Sequence, residues 1–473
     1  MTTFAAAIKN TLTPSLTANG MLTNESSLDN SVDLYFSIGS ARNKDMTGAF
    51  SRAYAVEPDI AMKILFWARD IREGAGERQT FRNIIKWLEA NQPDSLMKNL
   101  SQIPVFGRWD DLLEFVTPKF KLAAYNLIAR ALCDSNGLCS KWMPRKGPIA
   151  NELRKYMNLD PKSYRKLLVN LTKVVETQMC ANEWSEINYS HVPSVASSRY
   201  QKVFNKRDKT RYDEWKAGLK TGETKVNASA IYPYDVIKSV SYGDQSVAVA
   251  QWDALPNFLS SDDRILPMVD VSGSMSSQVN GQHGVGLSCM DVAVSLGLYI
   301  ADKQTGAFKD CFLTFSEKSR IQVLQGNLLQ KMQQLKGSEW GMNTNLDSAF
   351  REIIRVAQTN NVPATEMPSV VLIISDMEFD RACSQGRDVT AFSLATSLFK
   401  NAGYEIPKIV WWNISARSDA TGNVPVKFNQ TGTALISGFS PSIMKSVLAA
   451  KSFTPRDIML ETVNTDRYKD IVA

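Results

Sequence analysis

Two rhythms of apolar and polar positions divide the chain. From residue 30 to about 180, apolar residues recur at helical spacing with charges filling the gaps, as in Pro58–Ala68. The stretch Glu77–Ala90 repeats the style with Phe81, Ile84, Ile85, Trp87 and Leu88. Further helices are expected over 109–116, 119–135, 149–158 and 163–180, separated by short polar or Pro/Gly-bearing turns such as Gly74-Ala75-Gly76 and Gln92-Pro93-Asp94. Tight turns between such helices predict stacked antiparallel pairs, a solenoid in outline, although no strict repeat is visible. Between 181 and 260 the pattern weakens. Tyr200–Lys220 reads as one helix dense in Lys, Arg and aromatics, and Pro233 opens another.

Beyond the polar, turn-like Asn257–Asp263 the rhythm changes. Apolar strands are expected at Ile265–Val271, Cys311–Phe315, Arg320–Leu324, Val370–Ser375 and Lys408–Ile414, with a last short one after Phe428. They alternate with helices at Met290–Lys303, Leu328–Lys336, Leu346–Gln358, Val389–Asn401 and Ser442–Ala450. The expected fold class is therefore α + α/β: an all-helical half over 1–258, followed over 259–473 by a doubly wound, mostly parallel sheet.

Length supports the division, since 473 residues exceed one ordinary core. Apolar runs such as Val370–Ile374 fall far short of the roughly 20 residues of a membrane span, and the N-terminus lacks the pattern of a signal peptide. Six cysteines without C-x-x-C spacing and two histidines, His191 and His283, argue against a zinc site or a disulfide framework. A reducing, cytoplasmic setting fits best.

Charge is uneven. Residues 1–260 hold 34 basic against 27 acidic residues, and 261–473 hold 20 against 21. The excess concentrates in 141–225, with 18 basic and 9 acidic residues. That segment can attract a polyanion, with Arg145, Lys146, Arg199, Lys202, Lys206, Arg207 and Arg211 as candidate contacts. Interleaved Tyr189, Tyr200, Tyr212 and Trp215 resemble stacking platforms, with half of such rings expected in the core. A merely solvated basic face explains the composition equally well.

The sharpest chemistry lies in the D-x-S-x-S of Asp270, Ser272 and Ser274, directly after an apolar strand. Open α/β sheets bind ligands at the carboxyl ends of their strands. Thr344, in a loop before a helix, and Asp376, ending the 370–375 strand, converge on the same edge. The five residues offer only oxygen donors, which suits Mg2+ or, less specifically, Mn2+ or Ca2+, with positions left for water or an incoming anion. A helix-capping Ser cluster is the plain alternative. Catalytic readings fare worse. A phosphatase of the haloacid-dehalogenase type wants an acid where Ser272 stands, and no base adjoins a serine nucleophile; His283 lies in a Gly-rich loop. No enzymatic activity is expected. Glu378 and Asp380 read as ordinary loop acids, with added negative charge at the site as the alternative, and the Gly107-Arg108-Trp109-Asp110-Asp111 run as a packed cap.

In this order and spacing the five residues resemble the metal-ion-dependent adhesion site of von Willebrand factor A domains. A helical half followed by such a domain is similar to the TROVE or Ro autoantigen family, in which a ring of HEAT-like helices closed by the A domain binds RNA. The chain resembles still more closely domain-of-unknown-function family 2828, through Leu65–Arg78, Gly107–Leu113, Trp184–Ser194, Trp340–Asn345 and Ser375–Asp380. The resemblance implies a non-enzymatic RNA-binding protein with a metal at the adhesion-type site. A protein-interaction scaffold, whose metal accepts a partner's acidic side chain, is the second expectation.

Overall fold

The run Ile265–Val269 contains no charged residue and is followed by an acid, as befits a central strand buried on both faces. The computed structural model describes residues 14–228, 231–242, 245–259, 263–279, 287–315, 319–336, 343–384, 387–420 and 422–473. The loop carrying His283 and the Trp340-Gly341-Met342 segment lie outside the described residues. Two short strands, β1 (Pro14–Leu16) and β2 (Leu22–Asn24), pair as an antiparallel hairpin. The strands β3 (Ile265–Asp270), β4 (Cys311–Phe315), β5 (Arg320–Val323), β6 (Val370–Ser375), β9 (Lys408–Asn413) and β10 (Thr433–Ser437) form a six-stranded sheet in the order β10-β9-β6-β3-β4-β5. Only β5 runs antiparallel. A second small hairpin, β7 (Cys383–Ser384) with β8 (Arg387–Asp388), follows β6.

The helical half comprises α1 (Asn30–Ile38), α2 (Thr47–Val56), α3 (Pro58–Arg69), α4 (Gln79–Asn91), α5 (Pro93–Lys98), α6 (Ile103–Phe106), α7 (Pro118–Cys133), α8 (Gly137–Trp142), α9 (Pro148–Tyr156), α10 (Pro161–Leu171), α11 (Val175–Ala181), α12 (Ser194–Arg207), α13 (Lys209–Thr221), α14 (Pro233–Tyr242) and α15 (Gln245–Asp253). The sheet is covered by α16 (Cys289–Lys303), α17 (Leu328–Lys336), α18 (Leu346–Thr359), α19 (Ala391–Asn401), α20 (Met444–Ala449) and α21 (Pro455–Val463).

Three expected helices differ. The 109–116 segment is a 3-10 helix, Trp109–Glu114, because Asp111 closes a capping box on Arg108 and turns its carboxylate inward to Arg69 and Arg82. The 163–180 helix breaks into α10 and α11. Thr172 and Ser140 hydroxyls take the Leu168 carbonyl (2.6 and 2.7 Å), and the β-branched Val174 and Val175 follow. Tyr200–Lys220 breaks at Asp208, whose carboxylate accepts from Tyr189 Oη and Arg211 (both 2.8 Å).

One apolar core runs through both halves. Helix α1 packs on β10, with Ser437 Oγ donating to the Tyr35 carbonyl and Tyr35 Oη against Thr462 of α21. At the far end of the helical half, Trp252 Nε1 donates to Asp302 of α16 (2.9 Å). Tyr232 Oη donates to the Ala75 carbonyl (3.3 Å), which brings the segment before α14 against the α3–α4 connection. A second, smaller core of Val175, Ile187, Tyr189, Val192, Phe204, Tyr212, Trp215 and Val247 holds α11–α13 and α15 together as an arm. No described helix is long and apolar enough to cross a membrane.

Candidate metal centre and basic helical face

The strands β3 and β6 are parallel neighbours with Val269 opposite Ile374, so their ends leave Asp270 beside Ser375. Ser375 Oγ donates to Asp270 Oδ2 (2.6 Å), and the Ser272 backbone amide donates to Oδ1 (2.9 Å). Ser272 Oγ and Ser274 Oγ lie 3.1 Å apart, and the Ser274 hydroxyl hydrogen-bonds Asp376. Just beyond Asp376 the chain turns through Met377 at φ +65°, a costly conformation for a bulky side chain. That turn is pinned by Met377 N donating to Ser375 Oγ (2.9 Å) and Glu378 N donating to Asp376 Oδ1 (3.2 Å). Thr344 arrives one residue before Asn345, the side-chain cap of α18. Asp270, Ser272 and Thr344 are buried, Asp376 is half-buried, and Ser274 is exposed.

Electrostatics follow from this geometry. Burial, then repulsion from Asp376, pushes the Asp270 carboxyl far above the usual carboxylate range. Burial also raises Asp376. Neither carboxylate has an ion-pair partner among the described residues. One buried and one half-buried carboxyl with three hydroxyls make the donor set that a hard divalent ion fits. Among the described residues no trio of His, Cys, Asp and Glu gathers, so the site's donors are as much hydroxyl as carboxylate.

Several residues that shape this edge carry no motif. Ser375 orients Asp270. Asn19, in the β1–β2 turn, donates to Glu378 O (2.6 Å) and to Thr344 Oγ1 (3.4 Å), while Ala18 N donates to Glu378 Oε2 (2.7 Å). Lys44, from the α1–α2 connection, reaches Ser415 Oγ (3.3 Å) and the Ala416 carbonyl; burial lowers its pKa while the nearby Cys289 and Asp376 oppose that. Only the tertiary fold brings residues 19 and 44 here, and no local pattern announces them. Glu378 ties the hairpin and Arg417, and its charge adds to the repulsion on Asp376, while the Asp380 backbone N donates to the Thr344 carbonyl (3.0 Å).

The basic candidates divide. Arg145, Lys146, Arg199, Lys202, Lys206 and Arg207 are exposed. Arg211 is not available in the same way: its guanidinium donates to the Trp184 and Ile187 carbonyls and to Asp208, fastening the preceding loop. Tyr189, Tyr212 and Trp215 are core, packed on one another and on Phe204, so they offer no stacking face. Tyr200 is half-buried against Glu176. On α12, Arg199, Lys202 and Lys206 share one outward stripe, and Ser197, Gln201 and Phe204 form the buried face. Helix α10 repeats this with exposed Lys162, Arg165 and Lys166. Neither helix contains an acidic residue.

A family model described as domain of unknown function DUF2828 matches residues 17–121 and 123–263, slightly more than half of the chain. The chain belongs to the DUF2828 family. A second model, domain of unknown function DUF7788, matches residues 265–470, the sheet region. The chain is also similar to "Uncharacterized protein L728" of Acanthamoeba polyphaga mimivirus, 29% identical over 511 residues, covering 95% of this chain and 87% of the viral protein. The junction between the two matched models falls at 263–265, where the helical pattern gives way to β3.

Proposed function

We propose that this DUF2828 protein is a non-enzymatic RNA-binding protein of the Ro-like kind. In this reading residues 1–258 are a HEAT-like helical domain that carries RNA. Residues 259–473 are a von Willebrand factor A-type domain that binds Mg2+, or Mn2+ or Ca2+ in its place, through Asp270, Ser272, Ser274, Thr344 and Asp376. The observation that carries the reading is the pair of acid-free helices, α10 and α12, each with three cations on one exposed face. Exposed Lys and Arg at helical spacing, with no carboxylate on the same helix, suit a phosphate backbone, and each phosphate neutralised releases counterions. A bound Mg2+ would neutralise the paired acids and offer an open position to an oxygen ligand. In this reading the chain's own residues there orient and bind the ion. Cys133, Cys139, Cys180, Cys289 and Cys311 are free thiols, which supports a reducing, cytoplasmic setting.

The test is anisotropy titration of single-stranded RNA at increasing salt. Affinity is expected to fall linearly on a log–log plot by about 0.7 per phosphate contact. Affinity retained at several times physiological salt overturns the reading.

A second reading has its own observation: Ser274 is exposed and Asp376 half-buried at the mouth of the donor set, so a bound metal is reachable from outside. That suits a scaffold whose metal accepts a partner's carboxylate. The two readings separate on Asp270→Ala, which abolishes partner binding in the scaffold and leaves most RNA binding in the other.

A further inference from the structure

Two large hollows open on the described surface, and they differ in what they leave free. The one between α18 and α19, about 880 Å³, contains Arg351 and Arg355, but each is ion-paired along its own helix, to Asp347 and Glu352. Its charges are spent. The other, about 860 Å³, lies in the helical half between the Trp109–Glu114 turn, α7, the α7–α8 connection and the end of α9, and is within the size range of ligand pockets. Trp109, Asn126, Arg130, Asn136 and Tyr156 line it, with Cys133 and the exposed acid Asp134 where α7 ends.

Each of these side chains has capacity left. Asn136 caps α8 by accepting from Cys139 N (2.9 Å), which uses its carbonyl and leaves the amide N–H donors. Asn126 and Arg130 are exposed, and Arg130 has no ion pair among the described residues. Tyr156 is 38% exposed, its ring resting 6.0 Å from that of Tyr125, whose hydroxyl is occupied by Glu152. Trp109 is half-buried, held in its turn by the Arg108–Asp111 capping box. Helix α10, with its exposed Lys162, Arg165 and Lys166, packs against both α8 and α9.

We propose that this hollow is a nucleobase-binding subsite, an inference that rests on the RNA reading above. A base presents a flat π-face and an edge of mixed donors and acceptors. Aromatic rings take the face, carboxamides read the edge, and a guanidinium takes the flanking phosphate or stacks. The basic stripe of α10 then carries the backbone to the subsite, so α10 binds strand charge while the hollow distinguishes bases.

Cys133 makes the subsite directly readable, because it lines the hollow and is exposed, while exposed Cys180 lies outside it and serves as an internal control. Alkylation of the full-length protein is followed by peptide mass spectrometry with short homopolymer oligoribonucleotides and, separately, with nucleoside monophosphates. Bound oligonucleotide is expected to slow Cys133 modification about tenfold and leave Cys180 unchanged. Protection by a monophosphate as well identifies a free nucleotide as a source of the base; protection by oligonucleotide alone identifies a strand. The exposed-residue double variant Asn126→Ala/Arg130→Ala is expected to lose the protection, weaken oligonucleotide binding about tenfold and level the differences between homopolymers. Oligonucleotide that binds while Cys133 reacts at its free rate overturns the subsite and leaves the RNA reading standing. Absence of oligonucleotide binding at low salt overturns the RNA reading itself, and the subsite with it.

Discussion

At the carboxyl edge of the sheet, charge is buried and prearranged: Asp270 is wholly enclosed, fixed by Ser375 and the Ser272 amide, and faced by a second acid. On α12 it is the reverse, since Arg199, Lys202 and Lys206 stand in solvent. A buried carboxylate pair stores repulsion that a cation relieves, so its response is selective, steep in pH and weakly screened. Exposed cations add small, salt-screened contributions, so their response is graded and tolerant of any single loss. The helical half also contains the buried style, in Arg69, Asp111 and Arg82 beneath the Trp109 turn, and there the charges are matched and the role is to hold the fold.

The largest expected effect breaks the buried side alone. Asp270→Ala should abolish Mg2+ binding in calorimetry and remove any Mg2+-dependent rise in melting temperature, while RNA affinity in anisotropy changes less than about twofold. A loss of both would mean that the two regions are not independent. Next comes Asp111→Ala, which leaves the Arg69 guanidinium buried and unmatched. It should cost about 3–5 kcal/mol in denaturant unfolding, far more than removal of any exposed basic residue.

Charge reversal of the α12 stripe, Arg199→Glu with Lys202→Glu and Lys206→Glu, sharpens the contrast from the other side. RNA affinity should fall by more than about tenfold and the log–log salt slope by about 2, with Mg2+ affinity unchanged. An unaltered slope would remove α12 from the RNA path.

The pH response separates the regions further. Because the folded protein holds a proton on Asp270 that the unfolded chain has released, stability without metal should fall as pH rises from the ordinary carboxylate range towards neutrality. Mg2+ should flatten that decline, and Asp270→Asn should remove it; melting curves between pH 4 and pH 8 measure both. The smallest expected effect belongs to Asn19→Ala, which frees the Thr344 hydroxyl from the hairpin and should weaken Mg2+ binding about two- to tenfold. No change would leave Asn19 with only the Glu378 carbonyl as its role.

Much of the sheet was legible because buried parallel strands are apolar runs that end abruptly. Ile265–Asp270, Val370–Ser375 and Lys408–Asn413 fall within a residue of where their patterns place them. The helical half was legible in kind but not in its breaks: Thr172 meets the Ser140 hydroxyl and the Asp208 carboxylate meets Tyr189 where helices end, contacts that periodicity does not register. Aromatic rings among lysines gave no sign of whether they faced out or in. Tyr189, Tyr212 and Trp215 turned inward because three helices without a share in the main core needed one of their own.

The sequence by itself determined the order of elements and the oxygen donors at the strand ends, since both follow from local pattern and from the fixed side on which a parallel sheet ends its strands. Only the tertiary structure decided that Ser375, Asn19 and Lys44 border that edge, that Arg211 is a fastener, and that Asn126, Arg130 and Tyr156 share a hollow with Trp109. These are contacts between residues from 24 to 371 positions apart or choices of facing, and they are set by which surfaces the packing leaves uncovered.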